Sequence, residues 1–237
     1  MKTSLGDRIK SYERVSKHFA LLNMPLVIRV DGKAFHTFTK RCEKPFDKKL
    51  IHVMTQAARY TAKRMQGFKA AYVQSDEVTF VLTDYDSHET SAWFDYELPK
   101  LISTSAAIMS VSFFNEMENV NSMMINENNL PTFDSRAFNV PKHDVINTFL
   151  WRALDWKRNS VQMLAQANFS HKELQGKNQN TLKEMLLEIN EDWNLLKPEE
   201  KYGTFIVQDT GGLREFHVEP TYSEIQKIMI NFENLGE

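Results

Sequence analysis

Only one of the 237 residues is a cysteine, Cys42, and that scarcity excludes an internal disulfide framework and any zinc site built on thiolates. A chain so poor in thiols fits a reducing, cytoplasmic setting. The sequence also lacks any apolar run approaching the ~20 residues of a membrane span. Its start, Met1-Lys2-Thr3-Ser4, leads into a charged segment with no apolar stretch. It reads as soluble and untargeted, with no membrane partner. An excess of charge is missing too: 29 Lys and Arg against 31 Asp and Glu leave a formal net charge of -2, and no long like-charge run occurs. Nothing attracts a polyanion globally, so a nucleic acid would have to be held by local patches. Internal repeats and low-complexity tracts are absent. What is present, 42% hydrophobic and 25% charged residues, suffices to bury a core in one large or two small domains and excludes a disordered chain.

Periodicity then gives an order of elements. Ser4 followed by Asp7 resembles a capping box, and Leu5, Ile9, Tyr12, Val15 and Phe19 recur at helical spacing, so the chain opens on an amphipathic helix. Residues 26–31 (LVIRVD) alternate as a strand, with Leu26, Ile28 and Val30 on one face and Arg29 and Asp31 on the other. A helix over 47–65 stops at Gly67, strands at 70–74 and 78–82 flank the tip Ser75-Asp76-Glu77, a helix interrupted by Pro99 fills 90–114, and a fourth strand covers 136–140. That order is the ferredoxin-like split unit, in which the first and third strands lie antiparallel side by side. The expected class is α+β: a ferredoxin-like antiparallel sheet with helices over 1–140, then a mostly helical region over 141–237 packed on it. The second region holds helices at 142–169 and 182–189, the segment 202–207 and a terminal helix at 223–232. The polar connection 116–131 is the expected mobile loop.

This topology has a geometric consequence. The end of the first strand, Asp31, would neighbour the start of the third, so that Asp31, Asp76 and Glu77 converge on one sheet edge. With nothing nearby to neutralise them, such carboxylates repel one another and ask for divalent cations. Mg²⁺ suits oxygen ligands, and two ions can clamp the attacking and leaving oxygens of a phosphoryl displacement. Taken singly, Ser-Asp-Glu also solvates a hairpin turn, and Asp31-Gly32 is a common turn dipeptide. Beyond Asp31, Gly32-Lys33-Ala34-Phe35-His36 offers successive N–H groups as an anion-binding nest, the seat of a nucleoside triphosphate. Phe35 and Phe38 read as core residues rather than stacking platforms. Lys44 reads as a solvated side chain beside a helix cap at Asp47, or as a second grip on the triphosphate.

The motifs Arg29-Val30-Asp31-Gly32-Lys33-Ala34-Phe35-His36-Thr37-Phe38, Lys44-Pro45-Phe46-Asp47, Tyr72-Val73-Gln74-Ser75-Asp76-Glu77 and Trp151-Arg152-Ala153-Leu154-Asp155 together resemble the tRNA-His guanylyltransferase family and its wider group of 3′-to-5′ polymerases. The likeness runs from Arg8-Ile9-Lys10-Ser11-Tyr12-Glu13 to Lys201-Tyr202-Gly203-Thr204. It implies that the sheet is a polymerase-like palm followed by a helical region, with two Mg²⁺ ions held by Asp31, Asp76 and the Gly32 carbonyl and with Glu77 as a supporting carboxylate. It also implies GTP gripped by the backbone from Asp31 to His36 with Ser75, Asp76 and Lys44. Lys10, Arg29 and Lys100 match basic positions around phosphates, and Arg152, Lys157 and Asn159 are further candidates for phosphate or RNA contacts. The implied reaction activates a tRNA 5′ end with ATP and joins it to the 3′-hydroxyl of an incoming nucleotide, in a homotetramer. Where the guanylyltransferases proper carry His-Ile-Asn-Asn, this sequence has Lys157-Arg158-Asn159-Ser160. That departure resembles the guanylyltransferase-like branch, whose members repair truncated 5′ ends on a template. A palm-type nucleotide cyclase or dinucleotide synthase would use the same metal logic without RNA. An RNA-binding module would need an aromatic-rich basic strand, which the sequence does not show.

Overall fold

Strand β1 (Leu26–Gly32) has its first five residues buried, Arg29 among them, so the alternation read in its sequence divides two covered faces rather than a wet face from a dry one. Leu26, Ile28 and Val30 join one core and Val27 the other. The computed structural model describes residues 4–87, 89–121, 125 and 129–229. Around β1 the elements run α1 (Leu5–Glu13), β1, α2 (Phe35–Phe38), α3 (Lys48–Ala62), β2 (Phe68–Gln74), β3 (Glu77–Leu82), α4 (Leu98–Asn121) and β4 (Phe133–Asn139). They continue as α5 (Val145–Asn168), α6 (His171–Leu174), α7 (Gln179–Glu188), α8 (Pro198–Tyr202), β5 (Thr204–Asp209), β6 (Gly212–Phe216) and α9 (Tyr222–Ile228).

The strands form a single sheet in the order β4-β1-β3-β2-β5-β6, every neighbouring pair antiparallel. Its first four strands have the ferredoxin-like order that the sequence predicts. Helices α3 and α4 cover one face, where Met54, Ala58, Leu101 and Phe113 meet the side chains of Ile28, Phe80 and Leu82. Helix α5 covers the other face with Ile146, Phe149, Ala153 and Trp156 against Val27, Tyr72 and Phe205. A third apolar cluster, with Leu164, Leu182 and Trp193, fastens α6 and α7 to the far half of α5.

Several boundaries differ from the sequence reading. Helix α1 is capped by Ser4, whose hydroxyl accepts the Asp7 N–H at 3.1 Å, but it ends at Glu13 and buries none of its residues. Pro99 does not interrupt α4; it lies in the first turn, where a missing N–H leaves no hydrogen bond unmade. The same helix continues to Asn121, so it takes in the first part of the connection expected to be loop, while 122–124 and 126–128 lie outside the described residues. Segment 202–207 belongs to a hairpin, β5 and β6, that extends the palm sheet beyond β2. Helix α9 ends at Ile228, and the rest of the expected terminal helix lies outside the described residues.

Candidate active site at the carboxylate rim of the sheet

Register decides which carboxylates meet. Asp31 faces Glu77 across the β1–β3 ladder and Asp134 across the β1–β4 ladder. Ser75, in left-handed backbone (φ 47°), turns β2 into β3, and the Asp76 carbonyl accepts the Gly32 N–H at 3.0 Å. Asp31, Asp76 and Glu77 therefore share one rim, as the split-unit topology implies. Asp134 is a fourth carboxylate there, missed because the fourth strand was expected to start at Arg136. Burial holds the Asp31 carboxyl above the ordinary range; repulsion from Asp76, Glu77 and Asp134 adds to this, and Arg136, 3.9 Å away, offsets part of it. Burial likewise raises Asp76, against the opposing effects of hydrogen bonds from Ser75 and from its own backbone.

Glu77 differs from its neighbours, and here the expectation of carboxylates with nothing to neutralise them is corrected. Its two oxygens accept from Arg152 Nε at 2.7 Å and Nη2 at 2.8 Å, and Arg29 Nε lies 3.5 Å away. Arg152 also reaches Asp155 at 3.3 Å, so its guanidinium is fully committed to carboxylates rather than free for phosphate. Arg29 is buried within the sheet and donates to Thr79 Oγ1 at 3.2 Å. The exposed Trp151 ring lies beside both guanidinium groups, 5.3 Å from Arg29 and 4.8 Å from Arg152.

After Asp31 the chain turns through Gly32, Lys33 and Ala34, the last in left-handed backbone (φ 54°), into α2. A Cβ on Gly32 would stand 2.3 Å from the Phe35 ring, so glycine is required there by packing as well as by any phosphate. Phe35 and Phe38 are core residues, packed with Phe113 and Phe133. What Phe35 can offer a nucleotide is its backbone, whereas the Lys33 and His36 side chains are exposed.

Among the described residues, cavities open beside this rim, two of them larger than a third, of about 20 Å³, that Gln74, Ser75 and Trp156 also line. The larger, about 480 Å³, lies between the carboxylate rim and α5, with Asp31, Asp76 and Glu77 on one side and Arg152, Trp156 and Asn159 on the other. The smaller, about 90 Å³, is bounded by Lys44, Cys42, Asp47 and Ile51. Ser75, Trp156 and Met163 border both. Lys44 reaches the Thr39 carbonyl at 3.4 Å, and Asp47 caps α3 by accepting the Lys49 and Leu50 N–H groups. Among the remaining sequence candidates, Asn159 lines the larger cavity. Lys157 does not: it is turned to Glu219, at 2.7 Å, and to the Tyr202 ring. Lys10 is exposed on α1, and Lys100 pairs with Glu97 at 2.9 Å; neither lines these cavities. Gln74, Trp156, Gln162 and Gln166 also line the larger cavity. The sequence reading passed over them, although Trp156, Asn159, Met163 and Gln166 follow Arg152 at one-turn intervals.

A family model described as tRNAHis guanylyltransferase matches residues 6–141, more than half of the chain. The chain belongs to the tRNA(His) guanylyltransferase family. Within this family it is 33% identical over 166 residues to the tRNA(His) guanylyltransferase of Debaryomyces hansenii, covering 68% of this chain and 60% of that protein. To that of Schizosaccharomyces pombe it is 32% identical over 165 residues, covering 68% and 59%. The chain thus spans about 60% of the length of these curated relatives. A bacterial tRNA(His) guanylyltransferase-like protein in complex with ATP superposes with a TM-score of 0.90 at 36% identity, over 98% of this chain and 100% of that one. A complex of such a protein with GTP superposes at 0.82 with 33% identity, over 98% and 100%.

Proposed function

We propose that the chain is a nucleotidyltransferase that adds nucleotides to the 5′ end of tRNA in the 3′-to-5′ direction. The observation that carries this reading is the shared rim of Asp31 and Asp76, two carboxyls of raised proton affinity at the mouth of a nucleotide-sized cavity, in a member of this family. The complexes of similar bacterial proteins with ATP and GTP support nucleoside triphosphates as substrates.

The donor set fits a hard divalent cation. It consists of carboxylate and carbonyl oxygens carrying negative charge that the protein leaves largely unbalanced at Asp31 and Asp76. Among the described residues no three His, Cys, Asp or Glu side chains gather as a metal cage. Such a cation would thus complete its shell with backbone, water and substrate phosphate, as Mg²⁺ does. In this reading Asp31, Asp76 and the Gly32 carbonyl would hold two Mg²⁺ ions, and the chemistry these would supply is neutralisation of charge on the attacking and leaving oxygens.

The chain's own residues bind and orient. The expected run of free N–H groups is shorter than the sequence suggests, because those of Gly32 and Lys33 are taken by the Asp76 and Thr132 carbonyls. The N–H groups of Ala34, Phe35 and His36, with Ser75 and Lys44, hold the incoming triphosphate in this reading, and Arg152 fixes Glu77 beside the rim. A 5′-monophosphorylated RNA is first adenylylated: a 5′-phosphate oxygen displaces pyrophosphate from ATP. The 3′-hydroxyl of the incoming nucleotide then attacks the activated 5′ phosphorus, its proton passes to solvent, and the bond to AMP breaks. With a 5′-triphosphate already present, pyrophosphate leaves instead. Positioning and charge neutralisation supply the acceleration, with no covalent enzyme intermediate. Replacement of the family histidine by Lys157, which is engaged by Glu219 away from the cavity, supports templated repair of truncated ends over obligatory addition of one guanine. A homotetramer belongs to the same reading and is checked by light scattering against the 27.7 kDa of one chain.

The test is incubation with labelled GTP and ATP and tRNAs lacking one or two 5′ residues, followed by sequencing of the products. Extension complementary to the opposing strand is expected. Cyclic or dinucleotide products without RNA extension would overturn the assignment.

A further inference from the structure

Of the four tryptophans, all among the described residues, Trp93, Trp156 and Trp193 are buried, whereas Trp151 is 59% exposed. A large apolar ring left in water calls for a partner. An exposure this large also means that at least one face of the indole is open. Trp151 lies in the second turn of α5 and borders none of the three cavities described above. It lies instead against Arg29 and Arg152, whose guanidinium carbons stand 5.3 and 4.8 Å from the ring centre. Both cations are anchored by Glu77, and Arg29 by Thr79 as well, so the ring rests on side chains that are themselves held. A ring fixed in this way gives up little freedom when a planar group settles on it.

Position and surroundings identify that group. Arg29 precedes Asp31 by two residues on β1, which puts the cation against the ring roughly 7 Å along the strand from the carboxylate rim. Two further guanidinium groups, Arg136 across the β1–β4 ladder from Arg29 and Arg158 two turns along α5, are mostly exposed. Each leans on an aspartate, Asp134 or Asp155, yet keeps donors open to solvent, a set suited to the phosphates on either side of a base. The centre of a protein interface is depleted of charge, whereas single-stranded nucleic acids lay their bases on aromatic rings set among cations. Bases within a duplex have no free face, so a side-chain ring can take only an unpaired one. In a tRNA with a truncated 5′ end, the unpaired bases nearest the reacting phosphate belong to the opposing 3′ strand.

We propose that Trp151 is a stacking platform for an unpaired base of that 3′ strand, with Arg29 and Arg152 holding the ring. Stacking reads no base edge, so the platform accepts any of the four bases, as use of a template requires. The assignment rests on the proposed activity and adds to it a place for the strand opposite the growing end.

Trp151→Leu removes the ring and Trp151→Phe keeps one; both are tested in the full chain, without nucleotide, by RNA affinity and indole fluorescence. For a 5′-truncated tRNA, Trp151→Leu should raise the dissociation constant about ten-fold and Trp151→Phe less than about three-fold, the range of a single base stack. On a tRNA whose 3′ strand is also trimmed to leave a blunt duplex, wild type and Trp151→Leu should bind within about two-fold of each other, because the stacked base is gone. The truncated tRNA should also quench wild-type emission, and that quenching should be absent from both variants. An equal penalty on the blunt duplex would make the ring a mere cover for the Glu77–Arg152 pair and overturn the proposal. Emission that shifts with protein concentration in the absence of RNA would bury Trp151 against a second copy and overturn it as well. Wild-type transfer with RNA affinity untouched by Trp151→Leu overturns this assignment alone, whereas absence of RNA binding and transfer from the wild-type chain overturns the function and the platform with it.

Discussion

Asp31 and Asp76 carry like charge at one rim, so removing either relieves repulsion in the metal-free protein while removing a ligand from the proposed metal site. Asp31→Ala and Asp76→Ala should each lower transfer by on the order of a thousand-fold, the loss of several kcal/mol of transition-state stabilisation, with the melting temperature unchanged or raised. Near wild-type rates at saturating Mg²⁺ would remove both residues from the site. Cys42 supplies a second test at this scale. Burial first, then the neighbouring Asp47, pushes its thiol up to about 11, with Lys44 opposing. At pH 8 the folded protein should react with a thiol reagent at least about a hundred-fold more slowly than the urea-unfolded chain, since only the thiolate attacks. The sign for stability follows: between pH ~8.5 and about 11 the folded thiol keeps a proton that the unfolded one has lost, so its contribution to stability falls as pH rises. Equal labelling rates in the two states would show that the thiol is not buried.

At the scale of elements, one ion pair ties the β2–β3 turn to α5. Glu77 begins β3, Arg152 lies in the second turn of α5, and both side chains are 13% exposed, so their bidentate contact is screened little by water. Removing one partner leaves a buried charge alone. Arg152→Met should therefore cost about 3–5 kcal/mol in denaturant unfolding, whereas the double variant Glu77→Gln/Arg152→Met should cost clearly less. A single-variant loss below about 1 kcal/mol would mean that the pair is not a structural clamp. The sequence displayed this element pair only in part: Trp151-Arg152 stood out as a motif, but its basic side chain read as a phosphate contact. A guanidinium seeks whichever anion the fold brings near, and that partner lies 75 residues away.

At the scale of the molecule, residues 141–229 complete the sheet and cover one of its faces. We therefore expect a chain ended at residue 140 to expose Val27, Tyr72 and Val81, which otherwise pack against α5, β5 and α9. It would also open the edge of β2 that pairs with β5. Such a fragment should aggregate or lose cooperative thermal unfolding, measured by calorimetry and sedimentation. A soluble fragment with a sharp transition would instead make 1–140 an independent domain.

The sequence by itself determined the order of β1 to β4 with α3 and α4 between them, the ferredoxin-like sheet and the family, because period-2 and period-3.6 apolar patterns and short local motifs are properties of neighbouring residues. It also marked Asp31, Asp76 and Glu77, since the split-unit topology brings the end of the first strand to the start of the third. Only the tertiary structure decided which of these charges remain unbalanced, that Asp134 joins them, that Pro99 begins a helix rather than breaking one, and that β5 and β6 lengthen the sheet. Each of those depends on strand register or on contacts between distant segments. The cavity along α5 belongs to the same class, because Gln74, Trp156 and Gln166 acquire a common chemistry only when a strand end and a helix face are packed together.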